Sequence, residues 1–534
     1  MIHVRFLIRE ISRSSLLSRV QYRAKSVVAY PSEHNETKVN NDVNIELQNA
    51  RPVEEIPGPK ALPLLGNWFR FLPYIGEYGR VKSVKTHLRM MRDKYGDIVK
   101  LDKLAIGRTM IFLFAPELCE KLFRLDGQRP MRIAMHSLLY YRQNREHIWD
   151  GEYGLAVSQG KMWHDFRSKV NPHMMQPRTV KVHVPQINEV AVDFVKRMRT
   201  LRDPETLELP SDFKNELLKW ALEGICSIAM DCRLGCLEPN LAPDSEPQIM
   251  INCVQEMFEL MYRLEILTSL WKVYNTPNLK KFFRVMDTLN GIAKKHIERA
   301  KAKFDARDNN TNQHDRSILE KLLHIDKHTA YVMALDMLTA GVDTTGNTAG
   351  SMLYYIANNP EKQEKLREEV MSLLPDKTSP VTQEVLDQTK YAKACIKESL
   401  RLFPISLGTL RTMQTEVCLG GYKIPAGFDV VSCHDLITKE PTQFPRPEEY
   451  IPERWLRGNT EFPSAKEAHP FAYMPFGFGP RTCIGRRFAE MELETLLLTV
   501  VRNFRIEWHH GPLEYESRFI NTLSSPMRFK LIDL

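Results

Sequence analysis

The stretch FGFGPRTCIG, from Phe476 to Gly485, sets one sulfur among residues that shape backbone and carry charge. Gly477 and Gly479 let main chain approach a flat partner, Pro480 stiffens the turn, and Cys483 presents the sulfur. Gly485 removes a side chain where the following run, RRFAEMELETLLLTVV, would press on that partner. Arg481, two residues before the cysteine, places a permanent cation where a carboxylated cofactor needs a counter-charge. A thiolate needs positive surroundings, and a metal supplies them outright. The loop therefore suits ligation of a metal held in a flat, carboxylated cofactor. The competing explanation is a small buried thiol kept for packing.

Other residues carry weaker signals. In LTAGVDTTGNTAG, Leu338 to Gly350, Ala340 and Gly341 precede Thr344 by four and three residues, so the three share one helical face nearly bare of side chain. Thr344 can bond back to the Ala340 carbonyl. Close helix packing explains this pattern, and so does a dent beside a bound gas molecule with Thr344 and Asp343 relaying protons. Trp163 and Arg167, in WHDFR, project an indole N–H and a guanidinium from one face, which a tryptophan covering an arginine stem also explains. Glu398 and Arg401, in KESLR, form an ordinary i, i+3 pair. Lys393 and Lys397 lie four apart and repel each other unless something acidic docks there; Arg486 and Arg487 extend the charge, although a solvated basic face is the usual explanation.

The elements that must position these groups are mostly helical. Apolar periodicity predicts helices near residues 85–95, 160–170, 185–200, 212–230, 279–305 and 327–357, with Asn359 and Pro360 as the N-cap and first residue of another. DIVKL, TMIFLF and DVVSC read as short strands, too few for a main sheet. Residues 56–534 show no composition break and read as one domain, entered through the stiff IPGPKALPLLGN, while residues 31–55 are polar, unpatterned and suited to a flexible linker. In residues 1–30, Arg5, Arg9, Arg13, Arg19, Arg23 and Lys25 stand against Glu10 alone, the composition of an organellar presequence. Losing those six positive charges and one negative brings the formal +8 to +3, so global charge points to no nucleic-acid partner. No run near twenty apolar residues exists to span a bilayer. The nine cysteines form no CxxC pair, and Cys232 and Cys236, in DCRLGC, read as structural thiols.

Together these motifs resemble the cytochrome P-450 superfamily over about residues 56–534. Phe476, Gly479, Arg481, Cys483 and Gly485 fill the fixed places of its cysteine-ligand loop, and AGVDTT matches its distal-helix pattern. Glu398 and Arg401, joined by Arg454 of PERW, resemble its structural Glu-Arg-Arg lock, with Trp455 where the family has phenylalanine. WHDFR resembles the motif that binds haem propionates, and Arg411, in PISLGTLRT, aligns with a further propionate-binding arginine.

The resemblance implies a mainly α fold with small β-sheets, haem b lying between a long distal helix and the cysteine loop. Cys483 would be the proximal iron ligand; Arg481, Trp163, Arg167, Arg411 and Phe476 would bind the cofactor, and Thr344 and Asp343 would handle protons. Thiolate ligation favours O–O cleavage, hence a monooxygenase inserting one oxygen atom from O2 into a lipophilic small molecule. Amides at the start of the helix after Cys483 would moderate the sulfur. Lys393, Lys397, Arg486 and Arg487 resemble positions at which mitochondrial members receive an adrenodoxin-type ferredoxin, itself reduced from NADPH through a ferredoxin reductase. HSLLYYRQNREHIWDG and GKMWHDFRSKVNPHMMQPRTV resemble the insect mitochondrial group called family 12, linked to foreign-compound metabolism. That places the protein at the matrix face of the inner membrane with peripheral membrane contact. Ecdysteroid hydroxylation, as in related branches, and a non-catalytic haem-thiolate sensor are the alternatives. Position in the family makes residues 131–149, 250–261 and 405–407, and the segment near Leu523, candidate pocket walls.

Overall fold

The computed structural model describes residues 41–534 except 64–65, 72–75, 79–82, 105–107, 240, 267–269 and 307–315; residues 1–30, expected to be a presequence, and residues 31–40 lie outside the described residues. A 31-residue central helix, Lys327–Ala357, organises the molecule. It starts at Asp326, whose side chain accepts from the Thr329 amide at 2.7 Å, the ordinary remedy for a free helix N-terminus. It is buried on nearly every face, as expected of a helix that is apolar all round. Its small residues set the packing distance: a Cβ on Gly346 would lie 2.8 Å from Leu218, and one on Gly350 would lie 2.6 Å from Leu523. Leu218 belongs to Phe213–Ala229, which runs tightly along the central helix.

The predicted helices appear as Val84–Tyr95, Gly160–Met174, Val184–Leu201, Phe213–Ala229, Pro277–Asp305 and Lys327–Ala357. Tyr391–Leu402 carries Glu398 and Arg401, and Arg486–Asn503 follows the cysteine loop and packs on the central helix. Pro360 opens Pro360–Leu373 with Asn359 at the N-cap, as expected, but the Asn359 side chain makes no capping hydrogen bond. Its amide turns back to the Tyr355 carbonyl at 2.8 Å, because the preceding helix ends one turn away and offers a free acceptor.

Ile98–Leu104, Arg108–Leu113, Asp429–Ser432 and Thr409–Thr412 make a four-stranded sheet in that spatial order. The last strand pairs antiparallel with Asp429–Ser432, setting Arg411 opposite Val430. The other sheets have two or three strands. Part of the stretch expected to be a flexible linker is structured. Asn41–Asn49 is helical, and Arg51–Pro52 pairs in parallel with Tyr422–Ile424. The Arg51 guanidinium stacks 4.1 Å over Tyr422, a tertiary contact that a polar local sequence does not announce.

Candidate functional site

The cysteine loop is closed by its own backbone. Cys483 N–H donates to the Phe476 carbonyl at 2.9 Å, and the Thr482 hydroxyl donates to the same oxygen at 3.2 Å. Gly477 and Gly479 have φ of 73° and 75°, so glycine serves the left-handed turn itself as well as close approach. A Cβ on Gly485 would meet open space. The Cys483 residue has accessible surface. Burial pushes the thiol up, while the Gly485 N–H, Arg167 and Arg486 favour the thiolate and Glu490 opposes it. The expected amide to sulfur is thus the Gly485 N–H.

Cations gather around this loop. Arg481 donates to the carbonyls of Pro130 at 2.8 Å and Ser158 at 3.0 Å and to Gln159 Oε1 at 2.8 Å. Its guanidinium lies 4.1 Å over the Trp163 ring, so the indole covers Arg481 rather than the stem of Arg167. Arg167 donates to the Thr482 carbonyl at 2.9 Å, directly bracing the loop. Arg411 pairs with Asp126 at 2.7 Å. Sequence reasoning missed Arg132, which is held by Gln159: its N–H donates to Oε1 at 2.8 Å, and its carbonyl accepts from Nε2 at 2.6 Å. Its Nε is buried with no hydrogen-bond partner among the described residues. Burial lowers Arg132 to about 10, with Arg411 and Arg167 lowering it and Cys483 raising it. Burial likewise lowers Arg167 to about 10, against the pull of Cys483.

On the central helix, Ala340 is exposed, and Gly341 and Thr344 are half-buried, within a run that is otherwise buried. These are the three residues whose spacing marked a bare face. Thr344 donates to the Ala340 carbonyl at 2.7 Å. Asp343 is buried, and burial pushes its carboxyl up, with Lys214 and Asn347 pulling it down.

The Glu398 carboxylate accepts from Arg401 at 2.8 and 3.0 Å, Arg454 at 3.1 Å, the Ile451 amide at 3.1 Å and the Trp455 indole at 2.9 Å. Trp455, where the family pattern has phenylalanine, therefore adds a donor to the network. Phe476 differs from expectation in its reach: its carbonyl closes the loop, whereas its ring lines a cleft and lies 5.4 Å under Arg486.

That cleft, about 540 Å³, is lined by Lys393, Lys397, Arg486 and Arg487 together with Glu490 and Glu494. Arg486 pairs with Glu490 at 2.9 Å, and Lys393 donates to the Leu386 carbonyl and lies 3.6 Å from Glu494. The self-repelling basic face expected from sequence is thus partly neutralised by acids of the next helix. The candidate pocket wall at 131–149 is fixed to the central helix by Arg142, whose guanidinium lies 2.8 Å from Asp336 and 4.0 Å over Trp149.

Residues 56–531 match the family model described as Cytochrome P450. The chain belongs to the cytochrome P450 family. It is 39% identical over 504 residues to Cytochrome P450 CYP12A2 of Musca domestica, covering 92% of each chain. It is 37% identical over 491 residues to Probable cytochrome P450 12b2, mitochondrial, of Drosophila melanogaster, covering 91% of this chain and 90% of the relative. Probable cytochrome P450 12a5, mitochondrial, of the same fly is 37% identical over 502 residues, with 92% of each covered. The protein is a P450 monooxygenase of the mitochondrial family 12 type, with haem as cofactor and electrons delivered through ferredoxin reductase and ferredoxin. Its residues fit that cofactor: the Cys483 residue is accessible, Gly485 leaves space, and the Arg132 Nε is a buried donor without a partner among the described residues.

Proposed function

We propose that the chain hydroxylates lipophilic foreign compounds on the matrix side of the inner mitochondrial membrane. When bound, haem supplies the oxygen-activating chemistry, which thiolate ligation biases toward O–O cleavage. Cys483 provides the thiolate, held by the Phe476 carbonyl behind it and moderated by the Gly485 N–H. Arg132, Arg167, Arg411 and Arg481 hold the propionates and fix the cofactor's orientation. Arg411 is shared with Asp126, and Trp163 keeps Arg481 planar against the wall. Glu398, Arg401 and Arg454 keep the core beside the loop rigid. The central helix gives oxygen room at the exposed Ala340, whereas Gly341 lets Ile225 pack close, a Cβ there falling 2.9 Å from it; Thr344 passes a proton from its hydroxyl, and Asp343 restores it.

The observation that carries this reading is the set of guanidinium groups at the cysteine loop: Arg167 donates to the Thr482 carbonyl, Arg481 lies over Trp163, and the buried Arg132 Nε has no hydrogen-bond partner among the described residues. The acidic ferredoxin docks at the cleft lined by Lys393, Lys397, Arg486 and Arg487. Among the described residues no helix is long and apolar enough to cross a membrane. Ile266, Leu270, Val273 and Tyr274 are exposed along one short segment, an apolar surface suited to peripheral lipid contact.

The foreign-compound assignment rests on likeness to family 12 and on a deformable apolar wall. Met250, Met257 and Met261 are buried along Glu246–Met261, where unbranched thioethers accommodate varied shapes. Spectral titration of the reconstituted protein with insecticide and ecdysteroid panels tests it. Shifts with several unrelated lipophilic compounds are expected; tight, selective binding of one steroid would overturn the assignment.

A further inference from the structure

Of the cations assigned to docking, Arg486 and Lys393 are already engaged by the protein itself. Arg486 pairs with Glu490 one helical turn on, and both are exposed. Lys393 is drawn inward. Its ammonium donates to the Leu386 carbonyl and lies 3.6 Å from Glu494 Oε1. Glu494 belongs to Arg486–Asn503; its side chain is 7% exposed against 42% for Lys393, so a buried carboxylate holds back a half-exposed cation. Lys397 and Arg487 are exposed and line the same cleft.

Thr389 closes the arrangement. Its hydroxyl oxygen lies 2.8 Å from the Leu386 carbonyl and within hydrogen-bond distance of Glu494 Oε1. A hydroxyl has one proton to donate, so it cannot serve both oxygens at once. With Glu494 ionised, the Thr389 proton goes to the carboxylate, and the Lys393 ammonium serves the Leu386 carbonyl while facing the negative charge. With Glu494 protonated, its own O–H donates to Thr389 Oγ1 and the Thr389 proton turns to the Leu386 carbonyl. Lys393 then loses both of its holds. The groups facing Glu494 are Lys393 on Tyr391–Leu402, Thr389 just before that helix, and Glu369 on Pro360–Leu373, whose carboxylate accepts from the amides of Lys390, Tyr391 and Ala392. Asp387 also feels Lys393 but pairs with Lys181 at 3.4 Å. Burial, the largest influence, brings Glu494 up to about 7, with Thr389 and Lys393 opposing and Glu369 adding.

We propose that Glu494, Thr389 and the Leu386 carbonyl form a clasp that withholds Lys393 from the acidic ferredoxin, an autoinhibitory contact that one proton on Glu494 opens. The inference rests on the proposed docking cleft and adds its regulation: a carboxylate of the partner and Glu494 compete for the same ammonium. Docking is favoured on the acid side of neutrality, where the clasp is open. It weakens on the alkaline side, where the clasp is closed.

The test titrates the full chain loaded with haem with an adrenodoxin-type ferredoxin at low ionic strength, at pH 6 and at pH 8, and reads the dissociation constant by calorimetry. Wild type should bind about fivefold more weakly at pH 8 than at pH 6, the upper worth of one exposed ion pair. Glu494→Gln, neutral at both values and close in shape, should bind at pH 8 as wild type does at pH 6 and lose the pH dependence. In a Lys393→Met background, Glu494→Gln should change nothing, because the cation it frees is gone. The reduced, CO-treated spectrum of each variant checks that the cysteine loop is intact. The inference is overturned if Glu494→Gln binds no tighter than wild type at pH 8, or if its gain survives in Lys393→Met. Should Lys393→Met, Lys397→Met and Arg487→Glu all bind like wild type, the docking cleft itself falls, and the inference with it. If those three weaken binding while Glu494→Gln fails to strengthen it, only the clasp falls.

Discussion

Arg132 and Arg167 both feel Cys483, and Arg132 feels Arg411 as well, yet of the three only Arg411 is paired with a carboxylate among the described residues, Asp126. Burying cations without anions is expensive, and the propionates of haem answer that imbalance. Arg132→Met should therefore leave the fold intact but release haem to an acceptor globin at least about tenfold faster, the worth of one charge-assisted hydrogen bond. An unchanged rate would remove Arg132 from the cofactor's hold. Cys483, Arg481, Arg167 and Thr344 were legible because each sits in a short pattern with fixed spacing. Arg132 was not: it belongs to no periodic element, and Gln159, more than twenty residues away, fixes it from both sides.

The helix Arg486–Asn503 carries the cysteine loop at its start and is buried on almost all sides thereafter. Its Glu492 pays for that position: a Cβ on Gly224 would sit 2.6 Å from Oε1, an oxygen without a hydrogen-bond partner among the described residues. Burial pushes Glu492 from 4.5 up to about 8. The folded protein thus keeps a proton that the unfolded chain has already lost, and this contribution to stability falls as pH rises from about 4.5 to about 8. Glu492→Gln, which stays neutral, should melt increasingly above wild type as pH is raised from 5 toward 8, as followed by circular dichroism at a series of pH values. A constant difference across the series would contradict the assignment. Helix periodicity in the sequence located the long helices to within a few residues. It gave no warning of buried acids, because EMELETLLL reads equally as a half-exposed helix and as one enclosed by neighbours. Asn41–Asn49 and Arg51–Pro52 were missed because a polar segment is ordered by what it packs against.

At the scale of the molecule, the cleft lined by Lys393, Lys397, Arg486 and Arg487 is the proposed contact for the electron donor, and Ile266, Leu270, Val273 and Tyr274 expose apolar surface. The family and the mainly α fold were readable from ordered motifs. The balance of charge in the docking cleft was not, since Glu490 and Glu494 become neighbours of Lys393 only through helix packing. Arg487 is exposed on the rim of that cleft. Arg487→Glu should raise the ferredoxin concentration at half-maximal reduction about tenfold at low ionic strength, with the difference shrinking in high salt as screening removes it. A salt-independent defect would point to damaged folding instead. The central claim is that Cys483 supplies the thiolate that gives this haem its chemistry, and its most direct test is the absorption spectrum of the reduced, CO-treated protein beside that of Cys483→His. Wild type should show the far red-shifted Soret band of a thiolate-bound haem, and the variant should retain haem while losing that band. A wild-type spectrum without the band, or a variant that keeps it, would contradict the account.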